Sequence, residues 1–162
     1  MYKQNMKIYY TFRTNKDITR IKESGKFLFV FGNLKQDLQK FFNILSESAV
    51  DSIVGLAEIK GVSRVESVAV NAFGKNKKIC KSGPDSFKLD LLKDNIFKVS
   101  KSHTTSFCNW TMYKISEHIQ NNKLLIKHSF IHYNKADIEL VLGTPNKPTP
   151  PPQPPPLQQA HT

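Results

Sequence analysis

Between Phe27 and Ala57 the chain changes its hydrophobic period twice, and this narrows the folds open to it. Phe27-Leu-Phe-Val-Phe31 is a continuous apolar run closed by Gly32-Asn33, the pattern of a short buried strand. Leu34, Leu38, Phe41, Phe42 and Leu45 then recur at helical spacing, with Lys, Gln and Asp between them. Ser52-Ile-Val-Gly-Leu-Ala57 follows as a second short buried strand. Strand, helix and strand within about 30 residues predict a βαβ unit, and therefore an α/β fold with a partly parallel sheet.

The flanking sequence adds weaker elements. Lys7 to Phe12 alternates faintly, as a strand would, and Val65 to Val70 reads as another strand. Asn71 to Pro84 is a lysine-rich loop, Leu89 to Asn95 a short helix, and Phe97 to Ser100 a strand. Thr104-Thr-Ser106 offers a hydroxyl N-cap to a helix whose inner face carries Cys108, Met112, Ile115 and Ile119. Leu124 to Ile126 and Ser129 to His132 form a last apolar segment, read as a strand. Eight of the nine prolines lie between Pro145 and Pro156. Residues 1–143 are thus expected to form a single α/β domain, and residues 144–162 a Pro/Gln-rich disordered tail of polyproline II character.

Several function classes drop out. No apolar run approaches the roughly 18 residues of a transmembrane helix, and the first residues lack a signal-peptide pattern. Two cysteines make no disulfide framework, so a reducing, cytoplasmic setting is expected. The chain holds no Cys-x-x-Cys, His-Glu-x-x-His, Walker loop or dinucleotide fingerprint, so neither a metal nor a cofactor is expected. Twenty-four basic residues against thirteen acidic ones give a net charge of +11. The lysines are spread along the whole chain, with the densest run only Lys75-Asn-Lys-Lys78, which favours a solvated surface over a nucleic-acid site. No membrane partner is expected.

Three residues could carry chemistry. Cys108 falls near the start of a predicted helix, where the helix dipole would lower a thiol pKa and favour a nucleophilic thiolate. A buried, inert cysteine is the other reading. His132 ends a strand-like run, where open α/β sheets place functional groups, although a packed histidine looks the same in sequence. His103 is an alternative base, whereas His118 and His128 fit exposed positions. Glu66 is an acid inside an apolar stretch, and alternation places it on one strand face with Val68 and Val70. Buried there it needs a partner such as a histidine; otherwise it is an exposed edge-strand glutamate. Together the three can compose a Cys-His-Glu triad, in which the imidazole shuttles the proton and the carboxylate fixes its tautomer.

Four segments, in order, resemble the pyroglutamyl-peptidase I (pyrrolidone-carboxylate peptidase) family of cysteine peptidases. They are Ile53-Val-Gly-Leu-Ala57, Val65-Glu-Ser-Val-Ala-Val-Asn71, Ser82-Gly-Pro84, and the stretch from Val99-Ser100 through Phe107-Cys-Asn109 to Phe130-Ile-His132. The 24-residue gap from Cys108 to His132 also follows the family pattern. The resemblance spans about residues 34 to 133 and implies a three-layer αβα sandwich with a mixed sheet. It implies Cys108 as nucleophile, His132 as base and Glu66 as the residue that orients His132. The implied activity is removal of an N-terminal pyroglutamyl residue from peptides.

The resemblance also has gaps. The family's glycine- and phenylalanine-rich loop after the first strand has no counterpart here. Its arginine about ten residues beyond the glutamate is replaced by Asn76 between Lys75 and Lys77. A divergent or truncated member is therefore implied, and a catalytically inactive binding or scaffold relative is the alternative. Family members often associate, so homo-oligomers are expected; a monodisperse, thermally robust monomer would contradict this. Pro150 to Pro156 could dock an SH3 or WW domain, or form a solvated tail. A nucleic-acid reading predicts a salt-dependent mobility shift with DNA or RNA; no shift at low salt removes it.

Overall fold

A computed structural model describes residues 6–92 and 95–143. The chain order is β1 (Met6–Phe12), α1 (Ile18–Glu23), β2 (Leu28–Phe31), α2 (Leu34–Glu47), β3 (Val50–Ile59), β4 (Arg64–Val65), β5 (Val68–Val70), β6 (Ser86–Lys88), β7 (Lys98–Val99), α3 (Phe107–Asn121), β8 (Lys127–Asn134) and α4 (Ile138–Leu142). Six strands form one mixed sheet in the order β2-β1-β3-β8-β4-β7, and β5-β6 form a separate antiparallel pair. β2, β1, β3 and β8 run parallel, and β4 returns antiparallel to β8.

Alternation on the parallel strands builds two cores. Ile8, Tyr10 and Phe12 of β1, Ile53 of β3 and Phe130 of β8 pack against Leu38, Phe41 and Leu45 of α2 and Met112 and Ile115 of α3. Val54, Leu56, Ile131 and Tyr133 point the other way, toward Ile21 of α1 and Leu142 of α4. The result is a helix–sheet–helix sandwich, as expected of the α/β pattern. α2 begins where its sequence says it should. Asn33 at the N-cap accepts from the Gln36 backbone, and the Asp37 carboxylate reaches back to the Gly32 and Asn33 amides at 2.7 and 2.9 Å.

Several elements differ from expectation. The strand–helix–strand unit is parallel, as the pattern predicts, with β1 inserted between β2 and β3. β2 is a sheet edge: only Phe31 is buried, and Phe27 is 53% exposed. Val65 to Val70 is not one strand. The chain leaves the large sheet after Val65 and joins the small one at Val68, with the Ser67 hydroxyl donating to the Ser100 carbonyl at the crossing. Residues 89–92 are not helical, and the rest of the predicted Leu89–Asn95 helix lies partly outside the described residues. Leu124 to Ile126 precede β8 rather than join it. The proline-rich tail, with any partner it has, lies outside the described residues. No helix of the described residues is long and apolar enough to cross a membrane.

Gly55 sits in β3 beneath two rings. A Cβ there would lie 2.2 Å from the Phe130 ring and 2.5 Å from Tyr10 Cζ. Neither ring can yield freely, because Tyr10 also packs on Phe31 and Phe41 with centroids 5.7 and 5.6 Å away. Gly55→Ala is therefore expected to destabilise the fold by about 1–3 kcal/mol, the usual range for overpacking, read as a lower urea midpoint at unchanged slope. An unchanged midpoint would show that the aromatic layer is looser than described.

Candidate active site

The antiparallel register of β4 on β8 pairs Arg64 with His132 and Val65 with Ile131, and the Glu66 amide donates to the Phe130 carbonyl at 2.9 Å. Residues two apart on a strand share a face. Arg64 and Glu66 therefore stand on the same side as Phe130 and His132, the side covered by α3. Glu66 is 1% exposed and His132 4%. His132 Nδ1 lies 2.7 Å from Glu66 Oε1, and Arg64 Nε donates to the same oxygen at 2.8 Å. Glu66 thus shares its face with Arg64 and His132, not with Val68 and Val70 as alternation over 65–70 implied. Of the two readings open for it, the structure shows the buried, partnered one.

Burial pushes the Glu66 carboxyl up, but the hydrogen bonds and charges of His132 and Arg64 outweigh it and hold the carboxyl below its ordinary value. An ionised carboxylate can only accept, so His132 Nδ1 must carry the shared proton. Nε2 is left to exchange a proton with another group.

α3 delivers the third residue. It starts at the C-terminal end of the parallel strands, with Ser106 as N-cap and Cys108 in the first turn. Asn109, fully buried, locks this turn in place. Its Oδ1 accepts from the Val70 amide at 2.9 Å, and its Nδ2 donates to the carbonyls of Val70 and Ala72. Asn71 does the same for the following loop, bonding the Cys80 amide and carbonyl at 2.9 and 2.7 Å. Both asparagines belong to the segments singled out in the sequence, but nothing in their pattern announced a bracing role.

Cys108 and His132 line one cavity of about 220 Å³, together with Thr11, Phe12, Asn15 and Phe107. It opens at the carboxyl ends of β1, β3 and β8, where open α/β sheets place ligands. Phe12 and Phe107 meet edge to face with centroids 5.1 Å apart. Asn15 is fixed by its neighbours. Its Oδ1 accepts from the Asp17 amide and the Tyr133 hydroxyl, and its Nδ2 donates to Thr11 at 2.9 Å. Nothing in the sequence marks Phe12 and Asn15 as cavity residues, because the turn after β1 carries no glycine-rich signature, and Phe107 stands out only as the neighbour of Cys108.

Two electrostatic expectations are corrected. Burial pushes the Cys108 thiol up to about 12. The Ser106 hydroxyl draws it back in part, and the Glu66 charge raises it further. Proximity to a helix N-terminus does not overcome that desolvation, so Cys108 is a thiol in the free protein. His128, expected on the surface, is buried: Nε2 lies 2.8 Å from the Tyr10 hydroxyl and Nδ1 3.0 Å from Ser116 Oγ. His118 is half-buried and stacked on Phe42, with centroids 3.9 Å apart. His103 is exposed and does not line this cavity. Among the described residues no group of three His, Cys, Asp or Glu side chains is gathered to hold a metal.

Comparison with known proteins bears on the fold. Neither a protein-family profile nor a curated protein matches the chain. Solved structures do, among them pyroglutamyl and pyrrolidone carboxyl peptidases. Pyroglutamyl peptidase I of Bacillus amyloliquefaciens is 17% identical, with 80% of this chain and 81% of that one covered at a TM-score of 0.64. Pyrrolidone carboxyl peptidase of Thermococcus litoralis is 19% identical, covering 80% and 76% at 0.63. The enzyme of Fervidobacterium islandicum is 17% identical, covering 80% of each chain at 0.62. The chain has the mixed, mostly parallel α/β fold of these peptidases.

His128, buried between Tyr10 and Ser116, gives the stability of the fold a pH signature. Burial holds its imidazole down at about 3, against an ordinary value of 6.5. Between those values the unfolded chain binds the extra proton and the folded one does not. Stability is therefore complete above pH 6.5 and declines as pH falls through that window. His128→Gln is expected to flatten the decline, measured by urea unfolding as a function of pH; an equally steep decline in the variant would place its origin elsewhere.

Proposed function

We propose that the protein is a cysteine-type omega-peptidase that removes an N-terminal pyroglutamyl residue, with Cys108 as nucleophile, His132 as general base and acid, and Glu66 orienting His132. The observation that carries this reading is a single arrangement. Cys108 and His132 face one cavity, and the far side of the imidazole is held 2.7 Å from a buried carboxylate. The peptidase fold of the structural neighbours supports the same reaction class.

The thiol is protonated in the free protein, so attack and proton transfer must go together. Cys108 Sγ bonds to the pyroglutamyl carbonyl carbon as its proton passes to His132 Nε2. His132 returns that proton to the departing amine, leaving a pyroglutamyl thioester on Cys108. Water, deprotonated by His132, then hydrolyses the thioester and restores the thiol. Glu66 stays ionised throughout and stabilises the imidazolium that forms. The first-turn amides of α3 would favour the developing oxyanion.

The cavity suits a small terminal group. At about 220 Å³ it lies below the roughly 300–1,000 Å³ of drug-sized sites. The Phe12 and Phe107 rings offer an apolar wall for a flat lactam. Asn15 keeps one side-chain N–H beyond its bond to Thr11, suited to the lactam carbonyl. A cytoplasmic, reducing setting would preserve the thiol that this chemistry needs.

A non-catalytic relative is the second reading, favoured by the turn after β1. Arg13-Thr-Asn-Lys16 stands there in place of a glycine- and phenylalanine-rich loop. Hydrolysis of a pyroglutamyl-aminocoumarin amide under reducing conditions separates the two. Wild type is expected to turn over. Cys108→Ala should lose at least about 1,000-fold in kcat, and Glu66→Gln about 100-fold. Folded wild-type protein that binds a pyroglutamyl peptide without cleaving it would establish the non-catalytic reading.

A further inference from the structure

We infer that Arg64 is a positioning residue whose fixed charge keeps Glu66 anionic, so that the carboxylate holds His132 across the working pH range. The inference rests on the role proposed for His132 and Glu66. Its structural basis is the shared oxygen: Arg64 Nε and His132 Nδ1 both meet Glu66 Oε1, at 2.8 and 2.7 Å, on one face of the β4–β8 pair.

A carboxylate buried to 1% exposure is costly to ionise without compensation. His132 alone is a poor compensator, because its own charge comes and goes within the proposed cycle. Arg64 brings a guanidinium charge on a half-buried side chain. With Arg64 present, Glu66 remains an acceptor whichever state His132 is in.

Among the described residues, the charges that act on Glu66 are those of His132 and Arg64. His132 comes from β8, and Cys108 on α3 is a thiol. Lys98 of β7 lies beside Arg64 in register but is exposed to solvent. Across β8, the β3 residue level with His132 is Ala57, and the acidic Glu58 follows it.

The test reads the Glu66–His132 hydrogen bond directly, without substrate. A carboxylate-bonded imidazole N–H gives a far-downfield proton resonance, assigned here by its absence in His132→Gln. It disappears when acid protonates the carboxylate. Arg64→Met is expected to move that disappearance up by about one pH unit. Arg64→Gln, which keeps a hydrogen-bond donor but removes the charge, should do the same and serves if Arg64→Met fails to fold. Arg64→Lys should stay close to wild type. On the pyroglutamyl amide, the acid limb of kcat/KM should move up with the resonance in the Met and Gln variants. A resonance lost at the same pH in wild type, Arg64→Met and Arg64→Gln would overturn the inference. If wild type shows the resonance but no amide hydrolysis, the proposed activity fails while the role of Arg64 is still decided.

Discussion

A carboxylate removed from water must be answered by donors that the fold has already put in place, and the packing around Glu66 meets that requirement. His132 and Arg64 converge on one of its oxygens from adjacent antiparallel strands. That convergence requires β4 to lie on β8 in a single register, because a slip of one residue would turn Glu66 to the opposite face. The register is secured from both sides. The Glu66 amide bonds the Phe130 carbonyl, and the Ser100 amide bonds the Val65 carbonyl.

The chain leaves the large sheet after Val65 and joins a second one at Val68. β5 and β6 form a small separate ribbon, and Asn109 ties that ribbon to the first turn of α3. One asparagine thereby fixes Cys108 relative to the strand segment that carries Glu66. β8, following α3 in sequence, closes the arrangement by running parallel to β3 and bringing His132 to the cavity. Two strand pairings and one side-chain clamp thus bring Cys108 and His132 to one cleft, with Glu66 bonded to the imidazole.

The α/β class was legible because apolar period changes from strand to helix and back within one short stretch, and β2, α2 and β3 lie close to where that pattern puts them. β1 was faint because one of its faces is thinly covered: Tyr9 is only half-buried and Lys7 is exposed. Its central position could not be read at all, since strand order depends on which crossover the chain takes. Alternation misplaced Glu66 because the period was carried across a point where the chain changes sheets. His128 looked like a surface residue between Lys127 and Ser129, yet its partners Tyr10 and Ser116 are supplied by other elements. For Cys108 the helix start was correctly placed, but burial, which depends on tertiary packing, reversed the expected direction of its pKa.

In the proposed reaction the acyl group is carried by the Cys108 sulfur. The most direct measurement is the intact mass of the protein, quenched in acid during turnover of an activated pyroglutamyl ester, followed by peptide mapping. A gain of one pyroglutamyl acyl group located on Cys108, and absent from Cys108→Ala, is the result this account predicts. An acyl group carried on any other residue, or turnover that survives in Cys108→Ala, would contradict it.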